Sequence, residues 1–262
     1  MSADLQPSVI EMRDVTISAM RDLKEIVVEG INWSVAAGEF WVVAGIQHSG
    51  KSNFLMTTAG LTFPLAGSYK FFGNELRNAE VWRDRPGYVF EGGRLFNHLT
   101  IAQNVALPLQ YHSTLSDTEI NSSVEKLLEL MGMDWFAYSL PPNVSSNWLK
   151  RAGLARTLTL QPQVLLLDNP LRGLDAQHVQ WWLKFLDELC LGHTSLGGAK
   201  KTVIVTTDDL RPWQNDFRKF ALLSERKFIQ LGTWTDVIAS SHPVIKTLRA
   251  ISLAAIIDNT EA

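Results

Sequence analysis

The chain has 262 residues, 46% of them hydrophobic, and a formal net charge of −3, so it is long and apolar enough for one large domain with a sizeable core. The charge shows no basic excess that would predict a nucleic-acid partner, and Cys190 is the only cysteine, which excludes an internal disulfide and fits a reducing compartment. No apolar run approaches the ~18 residues of a membrane-spanning helix, and residues 1–14 lack the pattern of a signal peptide.

The first third of the chain predicts strands and one helix. Short β-rich segments separated by turns predict strands, and the first two of them are expected in an antiparallel layer. These segments are residues 9–17, 25–35, 68–72 and 87–90. Residues 40–44 are entirely apolar and predict one buried strand. A helix is predicted after Lys51, and Gly60 is suited to end it.

Residues 100–160 change in character and predict three helices. Ser116 opens the second of these helices, and Glu119 completes a capping-box pattern three residues later. Strands and helices alternate again in the remainder of the chain. The predicted elements are a strand at 164–168, a helix at 176–190, a strand at 202–207, a strand–turn–strand at 220–232 and a short helical tail. Alternating strands and helices with an inserted helical block predict an α/β fold with a mainly parallel sheet.

The segment GIQHSGKS at residues 45–52 fits the pattern G-x-x-x-x-G-K-[ST] in full. It lies between a predicted buried strand and a predicted helix, which is the context that a phosphate-binding loop requires. Its two glycines let the backbone curl its N–H groups around phosphate oxygens, and the positive end of the helix points at the anion. Lys51 supplies a charge to the terminal phosphates, and the Ser52 hydroxyl can ligate Mg²⁺. The predicted nucleotide-binding residues are Gly45, Ile46, Gln47, His48, Ser49, Gly50, Lys51, Ser52 and Asn53.

A carboxylate follows the apolar run at residues 164–167. Asp168 stands at the end of this predicted strand, where it can hold the Mg²⁺ shell through Ser52 or through water. An aspartate after an apolar run is, taken alone, more typical of a cap or a surface residue. The phosphate loop elsewhere in the chain favours the metal role.

Two further motifs accompany the phosphate loop and the metal-bearing strand. They are RGLD at residues 172–175 and LPPNVSSNWLKRAGLARTL at residues 140–158. With these motifs the chain, from about residue 9 to residue 232, resembles an ABC transporter ATP-binding subunit. By this resemblance the first motif is the D-loop, and the second holds the signature that faces a partner subunit. The matching residues are Gly173 and Asp175 in the D-loop and Ser145, Ser146 and Asn147 in the signature.

The segment GYVFEGGRLFNHLTIAQNVALPL at residues 87–109 looks like the Q-loop region of this family. It has the form F-x-x-G-x-L-F followed by L-T-x-x-x-N-V-A-x-P-L. This form is most similar to the ATP-binding subunits of bacterial lipid transporters of the Mla and Mce type. The resemblance therefore implies a lipid-type transporter.

The fold implied by the resemblance is α/β. It is a P-loop NTPase, RecA-like core with an antiparallel β subdomain and an inserted α-helical subdomain. A single ABC ATP-binding domain is expected over residues 1–262. Its parts are the core and β subdomain at about 1–92 and 160–240, the helical subdomain at about 93–159 and a C-terminal helical tail at about 235–262.

The resemblance also implies cofactors, partners and a location. ATP and Mg²⁺ are the implied cofactors, and an integral membrane permease is expected to dock near residues 91–110. A second ATP-binding subunit, either a copy of this chain or another family member, is expected to pair with it head to tail. In the family each ATP then lies between the phosphate loop of one subunit and the signature of the other. The implied location is cytoplasmic, peripheral at the inner face of the cell membrane.

Three positions of the hydrolytic machinery depart from the family pattern. Asn169 replaces the catalytic Glu, and its amide cannot accept a proton from the attacking water near neutral pH. Loss of a general base typically costs ~10²–10⁴ in rate. Thr207 replaces the switch His and is too short to reach a γ-phosphate in the same way. Glu91 replaces the Q-loop Gln, and its carboxylate is a candidate Mg²⁺ ligand beside Ser52 and Asp168.

Contacts to the partner subunit and to the base depart as well. In VSSNW at residues 144–148, Ser146 and Asn147 replace two glycines, whose lack of a Cβ lets the backbone approach the partner's γ-phosphate. Ile17 falls where an aromatic residue usually stacks on adenine. An aliphatic contact there predicts weaker binding of the base.

These departures share a pattern, because the phosphate and metal groups remain while the groups for hydrolysis and dimer closure are changed. The sequence therefore predicts binding of Mg-ATP with weak or absent hydrolysis. Two alternatives remain open. One is a slow but genuine ATPase that uses Glu91 or substrate-assisted chemistry, and the other is a regulatory scaffold that has lost nucleotide binding.

Overall fold

The computed structural model describes residues 8–75 and 86–250. The chain folds into two compact units. The first unit is Met1–Arg83 with Thr202–Ala262, and the second is Asp84–Lys201. The phosphate-loop motif belongs to the first unit, and the signature and D-loop motifs belong to the second.

Within the described ranges, strands and helices alternate much as the sequence predicts. The strands are β1 (Ser8–Ser18), β2 (Ile26–Ala36), β3 (Phe40–Ala44), β4 (Ala66–Phe71), β5 (Asn74–Glu75), β6 (Gly87–Val89), β7 (Val164–Leu167), β8 (Thr202–Thr207), β9 (Lys219–Ser224) and β10 (Lys227–Gly232). The helices are α1 (Lys51–Thr58), α2 (Ile101–His112), α3 (Asp117–Leu130), α4 (Ser146–Leu158), α5 (Ala176–Leu191), α6 (Trp234–Ala239) and α7 (Pro243–Ala250).

The first unit contains a parallel sheet centred on β3. Every residue of β3 is buried, and β8 and β9 run parallel to it on its two sides. A strand buried on both faces needs a continuous apolar run, which is why FWVVA is suited to this place. β9 continues into β10 through Glu225 and Arg226, whose φ values of 50° and 60° suit a two-residue hairpin turn.

A separate antiparallel sheet in the same unit has the order β2-β1-β4-β5. This sheet confirms the predicted antiparallel layer. Its central strand β1 buries Val15 and Ile17, two residues apart and therefore on the same face. The register of β1 shifts between Met12 and Val15, and Asp14 at this bulge has a φ of 50°.

Helix α1 ends where the sequence predicts. Gly60 has a φ of 68°, and its N–H donates to the carbonyl of Thr57 at 3.0 Å. The next residue, Leu61, donates to the carbonyl of Met56 at 2.9 Å. This pair of bonds satisfies carbonyls at the end of the helix, and glycine adopts the left-handed conformation at little steric cost.

In the second unit, β6 and β7 pair in parallel, with Tyr88 opposite Leu166. Helices α2 to α5 belong to the same unit. The predicted capping box at Ser116 and Glu119 opens α3 with both of its hydrogen bonds present. A second capping box, not predicted from the sequence, opens α2 with Thr100 and Gln103.

The predicted helical tail is present as α6 and α7 up to Ala250. The rest of that prediction, residues 251–262, lies outside the described residues. Across the ranges that the structure describes, none of the helices combines the length and apolar character needed to cross a membrane.

Two glycines of the antiparallel sheet give a stability test. Gly67 and Gly73 have similar φ values, 85° and 77°, but a Cβ on Gly67 would lie 2.3 Å from the carbonyl oxygen of Asp14, whereas nothing lies within 4 Å at Gly73. We expect Gly73→Ala to cost about 1–2 kcal/mol of unfolding free energy through its left-handed backbone. Gly67→Ala should cost about 1–3 kcal/mol more, because its new methyl meets backbone. Urea unfolding measures both, and equal losses would contradict this packing.

Candidate functional site

The predicted phosphate loop connects β3 to α1 and has the backbone of a cradle. Gly50 is the N-cap of α1 with a φ of 89°, and a Cβ there would lie 2.1 Å from a Val27 methyl. His48 also has a positive φ of 62°. A side chain at Gly50 would therefore be excluded both by backbone conformation and by space.

The interior of the cradle is polar and tight. A Cβ on Gly45 would lie 2.3 Å from Ser49 Oγ and 2.9 Å from the carbonyl oxygen of Leu223. The Ser49 hydroxyl is buried and has no hydrogen-bond partner within the described part of the chain. A buried hydroxyl usually has a partner, and a phosphate oxygen bound in this loop is one that would suit it.

Lys51 lies over the same loop. Its Nζ donates to the carbonyls of Gly45 and Ile46, both at 2.7 Å. Ser52 follows in the first turn of α1 and is half-buried. An ammonium and the N-terminus of α1 therefore lie at the same glycine-containing loop, so these residues fit a bound phosphate chain.

Thr207 lies at the end of β8 and faces the protein interior. Its hydroxyl accepts hydrogen bonds from Trp213 Nε1 at 3.2 Å and from the Asp209 amide at 3.1 Å. The same hydroxyl donates to the Asp209 carbonyl at 2.9 Å. Thr207 is 2% exposed, so its side chain anchors the turn after β8 and is not directed toward a ligand.

The backbone of Thr207 connects this turn to the cradle. Its carbonyl accepts a hydrogen bond from the Gly45 amide at 3.1 Å. In the β3–β8 pairing, Ala44 stands opposite Thr207. The first residue of the cradle is therefore fixed by the last residue of β8.

The prediction that Ile17 occupies the adenine-stacking position is wrong. Its side chain is 1% exposed and shares a face of β1 with Val15, so it lies in the core and is inaccessible to a base. Asn53, predicted in the nucleotide site, donates from Nδ2 to the carbonyl of Ser18 at 3.2 Å. The exposed side chain that follows on this segment is Met20.

In the second unit, Asp168 stands directly after β7, as predicted, and is buried. Its carboxylate accepts a hydrogen bond from the Tyr88 hydroxyl at 3.3 Å. Burial, and then the charge of Asp168, raises the pKa of Tyr88, which therefore remains a donor. Tyr88 is a supporting residue that sequence reasoning missed, although the parallel pairing of β6 with β7 brings the two ends together.

Asn169 and Glu91 have contrasting surroundings. Asn169 is buried and has a φ of 45°, a left-handed conformation that Asn tolerates better than most residues. Glu91 is exposed and accepts a hydrogen bond from Arg172 at 3.3 Å. This surface ion pair contributes little stability, but it places a positive charge beside Glu91.

The altered signature residue Asn147 bonds to the D-loop. Ser145 is the N-cap of α4, and Ser146 is its first residue. Asn147 Nδ2 donates to Asp175 Oδ2 at 2.8 Å. Asp175 also caps α5 by accepting from the His178 amide at 2.9 Å, a bond that lowers the pKa of the Asp175 carboxyl. The side chain that replaces a glycine here links the signature to the D-loop.

Lys150 provides a second link that sequence reasoning missed. It is buried, and its Nζ donates to the carbonyls of Arg172 at 2.5 Å and Pro170 at 3.3 Å. An ammonium on the signature helix therefore holds the D-loop backbone. The sequence offered no signal for this pairing, because the partners are carbonyl groups, which every residue carries.

Trp148 packs inward along α4. The guanidinium of Arg151 lies 4.5 Å from the centroid of the Trp148 ring and 3.8 Å from that of Trp181. Burial between these rings lowers the pKa of Arg151 to about 10. The bulk of Trp148 is thus used in a cation–π stack.

The predicted Mg²⁺ ligands belong to different units. Ser52 lies in the first unit, and Glu91 and Asp168 lie in the second. Their combination in one metal site therefore stays a prediction.

Comparison with protein families gives one match that covers more than half of the chain. The profile described as ABC transporter matches residues 28–172. This range includes the cradle, Glu91, the signature and Asp168 with Asn169.

Curated relatives are similar to this chain over most of its length. The spermidine/putrescine import ATP-binding protein PotA of Thermotoga maritima is 33% identical over 214 residues, which are 82% of this chain and 56% of that protein. The sulfate/thiosulfate import ATP-binding protein CysA of Caulobacter vibrioides is 34% identical over 206 residues, 78% of this chain and 59% of that protein. The chain thus spans a little more than half the length of these relatives.

Solved structures share the fold. A post-hydrolysis dimer of the ATP-binding cassette MJ0796 bound to ADP and Pi has a TM-score of 0.73 and 25% identity, covering 83% of this chain and 95% of that one. The structure of cbiO1 from Clostridium perfringens, part of the cbiONQ complex, has a TM-score of 0.73 at 24% identity and covers 98% of this chain and 100% of that one. The predicted fold class, a P-loop NTPase of the ABC type, is confirmed.

Thr207 gives a test of its anchoring role. Thr207→Val keeps the shape but removes the hydroxyl, which leaves the buried Trp213 Nε1 and Asp209 amide without their acceptor. We expect a loss of ~1–3 kcal/mol in unfolding free energy. Thr207→Ser, which keeps the hydroxyl, should lose only the ~0.8 kcal/mol of one methyl group. Chemical denaturation compares the two, and a valine variant as stable as the serine variant would contradict the assignment.

Proposed function

Since this chain belongs to the ABC transporter family, we propose that it is an ATP-binding subunit that holds Mg-ATP and turns it over slowly or not at all. The observation that carries the proposal is the cradle at residues 45–52. Its glycines have no room for side chains, and the buried Ser49 hydroxyl suits a phosphate oxygen. Lys51 and the backbone N–H groups bind the phosphates, and Ser52 with Asp168 hold Mg²⁺, whose charge offsets that of the phosphates.

Slow turnover follows from two positions. Asn169 offers an amide where a general base is needed, and an amide accepts no proton near neutral pH. Thr207 is engaged by Trp213 and Asp209 within its own turn, so its hydroxyl has no free reach toward a γ-phosphate. Binding and positioning are retained while proton transfer and phosphate sensing are weakened.

Glu91 is a poor substitute base. Its carboxylate is exposed and is already engaged by Arg172, whose Nη1 donates to it at 3.3 Å. This argues against the alternative of a genuine ATPase that relies on Glu91. The other alternative, a scaffold that binds no nucleotide, does not explain the tight packing around Gly45 and Gly50.

We extend the proposal to assembly. Two such subunits pair head to tail, as this chain again or with another family member, and act on an integral membrane permease from the inner face of the cell membrane. The MJ0796 cassette is described as a dimer. Ser145 and Ser146 are exposed at the N-terminus of α4, where backbone N–H groups suit a partner's phosphate.

The proposals for the cargo and for the permease contact both depend on residues 87–109. Their similarity to the Mla and Mce type favours a lipid cargo, whereas the relatives above are named for polyamines and for sulfate or thiosulfate. The permease is expected near residues 91–110, where Phe96 is an exposed aromatic side chain.

Nucleotide binding and phosphate release test the central claim. We expect the unaltered chain to bind Mg-ATP and to release phosphate ~10²–10⁴ times more slowly than a family member with Glu at position 169. Lys51→Ala should weaken ATP binding by about 10–100-fold, because it removes a charged contact. Calorimetry and a phosphate-release assay measure both quantities.

Asn169 has a matched pair of variants. Asn169→Glu and Asn169→Gln meet the same left-handed backbone and add the same length, but only Glu can accept a proton. We expect Glu alone to raise phosphate release, and by less than the full factor because Thr207 is unchanged. Turnover at ordinary family rates in the unaltered chain would refute slow hydrolysis. Absent ATP binding, insensitive to Lys51→Ala, would favour the scaffold.

Replacement of Asp168 tests whether its carboxylate holds Mg²⁺. Asp168→Asn keeps the shape and removes the charge that holds Mg²⁺. We expect ATP affinity measured in EDTA to stay unchanged, while the gain in affinity on adding Mg²⁺ is lost. If the gain persists in Asp168→Asn, the carboxylate has no role in holding the ion.

A further inference from the structure

A cavity of about 440 Å³ lies in the first unit, away from the cradle motif in sequence. It is formed by the 3-10 helix Arg211–Trp213 together with α6 and α7. Its lining includes Arg211, Gln214, Trp234, Ile238, Lys246 and Arg249. The volume falls within the ~300–1,000 Å³ range of small-molecule sites.

The charge of this lining is positive. Among the described residues that line it, three are cationic and none is acidic. Arg211 is held by Asp209, which accepts from its Nε at 2.8 Å and from its Nη2 at 2.6 Å. Arg249 donates through Nη1 to the carbonyl of Ile238 at 3.0 Å, a neutral partner. Lys246 is exposed. Asp209 balances the charge of Arg211, so the charges of Lys246 and Arg249 remain as a positive excess.

Within the described residues, two acids near α6 are engaged elsewhere. Asp236 accepts from the Thr233 amide at 2.7 Å in a capping box that opens α6. Asp216 accepts from the amide and hydroxyl of Thr235, each at 3.3 Å. Both acids serve the N-terminal turn of α6 rather than the cavity, so they leave the excess positive charge in place.

One wall of the cavity is apolar and partly flat. The indole of Trp234 packs on Phe220 with ring centroids 5.6 Å apart, which fixes its orientation. Ile238 on the same helix is 51% exposed. An apolar wall beside two cations is suited to a molecule that has an anionic end and an apolar body.

We propose that this cavity binds a small organic anion, a phosphate or carboxylate group on a planar or apolar body, and that its occupancy changes the nucleotide affinity of the cradle. Lys246 and Arg249 receive the anionic group, and Trp234 with Ile238 receives the body. The binding half of the proposal is independent of the function proposed above. The coupling half rests on nucleotide binding at the cradle.

A short chain of hydrogen bonds supports the coupling. Arg211 donates to the Asp209 carboxylate. The Asp209 backbone bonds the Thr207 hydroxyl twice, because its carbonyl accepts from that hydroxyl and its amide donates to it. The carbonyl of Thr207 accepts from Gly45, the first residue of the cradle. Helix α7 joins the same turn, because the Leu210 amide donates to the carbonyl of Leu248 at 3.2 Å. The segment that carries a switch in the family is here attached to the cavity.

Binding is tested with phenyl phosphate and benzoate by calorimetry. The background is the full-length Lys51→Ala variant, in which the phosphate loop is weakened. We expect binding of both anions and none of phenyltrimethylammonium, which has a similar body and the opposite charge. Lys246→Ala, and separately Arg249→Ala, should weaken binding by roughly tenfold, because each removes a charged contact.

Lys126→Ala is the matched control. Lys126 is an exposed lysine on α3, and its loss should leave binding unchanged. Thermal melting checks that each variant is folded, and Lys246→Ala is the safer variant because its side chain is exposed. Failure of both anions to bind, or binding that Lys246→Ala and Lys126→Ala affect equally, would overturn the site.

Coupling is tested in the chain with Lys51 intact. ATP affinity is measured with and without saturating benzoate, in the unaltered protein and in Lys246→Ala. A severalfold change in affinity that Lys246→Ala abolishes supports the coupling. A change that survives in Lys246→Ala means competition at the cradle, and no change at all means uncoupled binding; either result overturns the coupling. A chain that binds benzoate but no ATP would refute the proposed function and the coupling that rests on it, and would leave the binding half of the proposal standing.

Discussion

The hydrogen bond from the Gly45 amide to the Thr207 carbonyl is the constraint on which the proposed nucleotide site depends. It joins the first residue of the cradle to the last residue of β8, and the β3–β8 pairing continues the same register inward. A side chain at Gly45 would clash with Ser49 and with the Leu223 carbonyl, so only glycine fits at the start of the cradle. Thr207 in turn is fixed by Trp213 and Asp209. A backbone that is held in place in this way suits the proposed binding of phosphate by its N–H groups, because little reorganisation is needed.

The departures from the family pattern are built into the fold as structural contacts. Thr207 anchors a turn, and Asn147 bonds the D-loop carboxylate of Asp175. Lys150, which is not one of these departures, holds the carbonyls of Arg172 in the D-loop and of Pro170 just before it. Thr207 serves buried groups, and Asn147 pairs with an exposed carboxylate, in each case within the residue's own unit. These contacts support the proposal that the chain holds a nucleotide and turns it over slowly.

The two anchoring systems lie in different units. In the first unit, the turn after β8 connects the cradle to the basic cavity beside α7. In the second unit, the signature helix α4 and the D-loop are tied together by side chains of α4. Both systems hold their segments through hydrogen bonds within one unit. A ligand that shifts the turn after β8 would act on Gly45 through hydrogen bonds, and this is why we propose that the cavity is coupled to the cradle.

Local patterns in the sequence determined much of this protein. The phosphate loop, the buried strand β3, the capping box at Ser116 and the stop at Gly60 each depend on residues close in sequence, where backbone geometry and periodicity govern the outcome. The antiparallel layer and the α/β class followed from the same periodicities. The confirmed family resemblance came from motifs of this kind.

Only the tertiary structure decided the rest. Ile17 was wrongly placed beside a base, because the burial of β1 is set by its packing and by the bulge near Asp14. The Tyr88 hydroxyl reaches Asp168 across two paired strands, and Lys150 finds carbonyls that no sequence motif marks. The basic cavity brings Arg211 together with Lys246 and Arg249 from a separate helix. Such contacts depend on long-range packing of separate elements, and residue spacing alone carries no information about them.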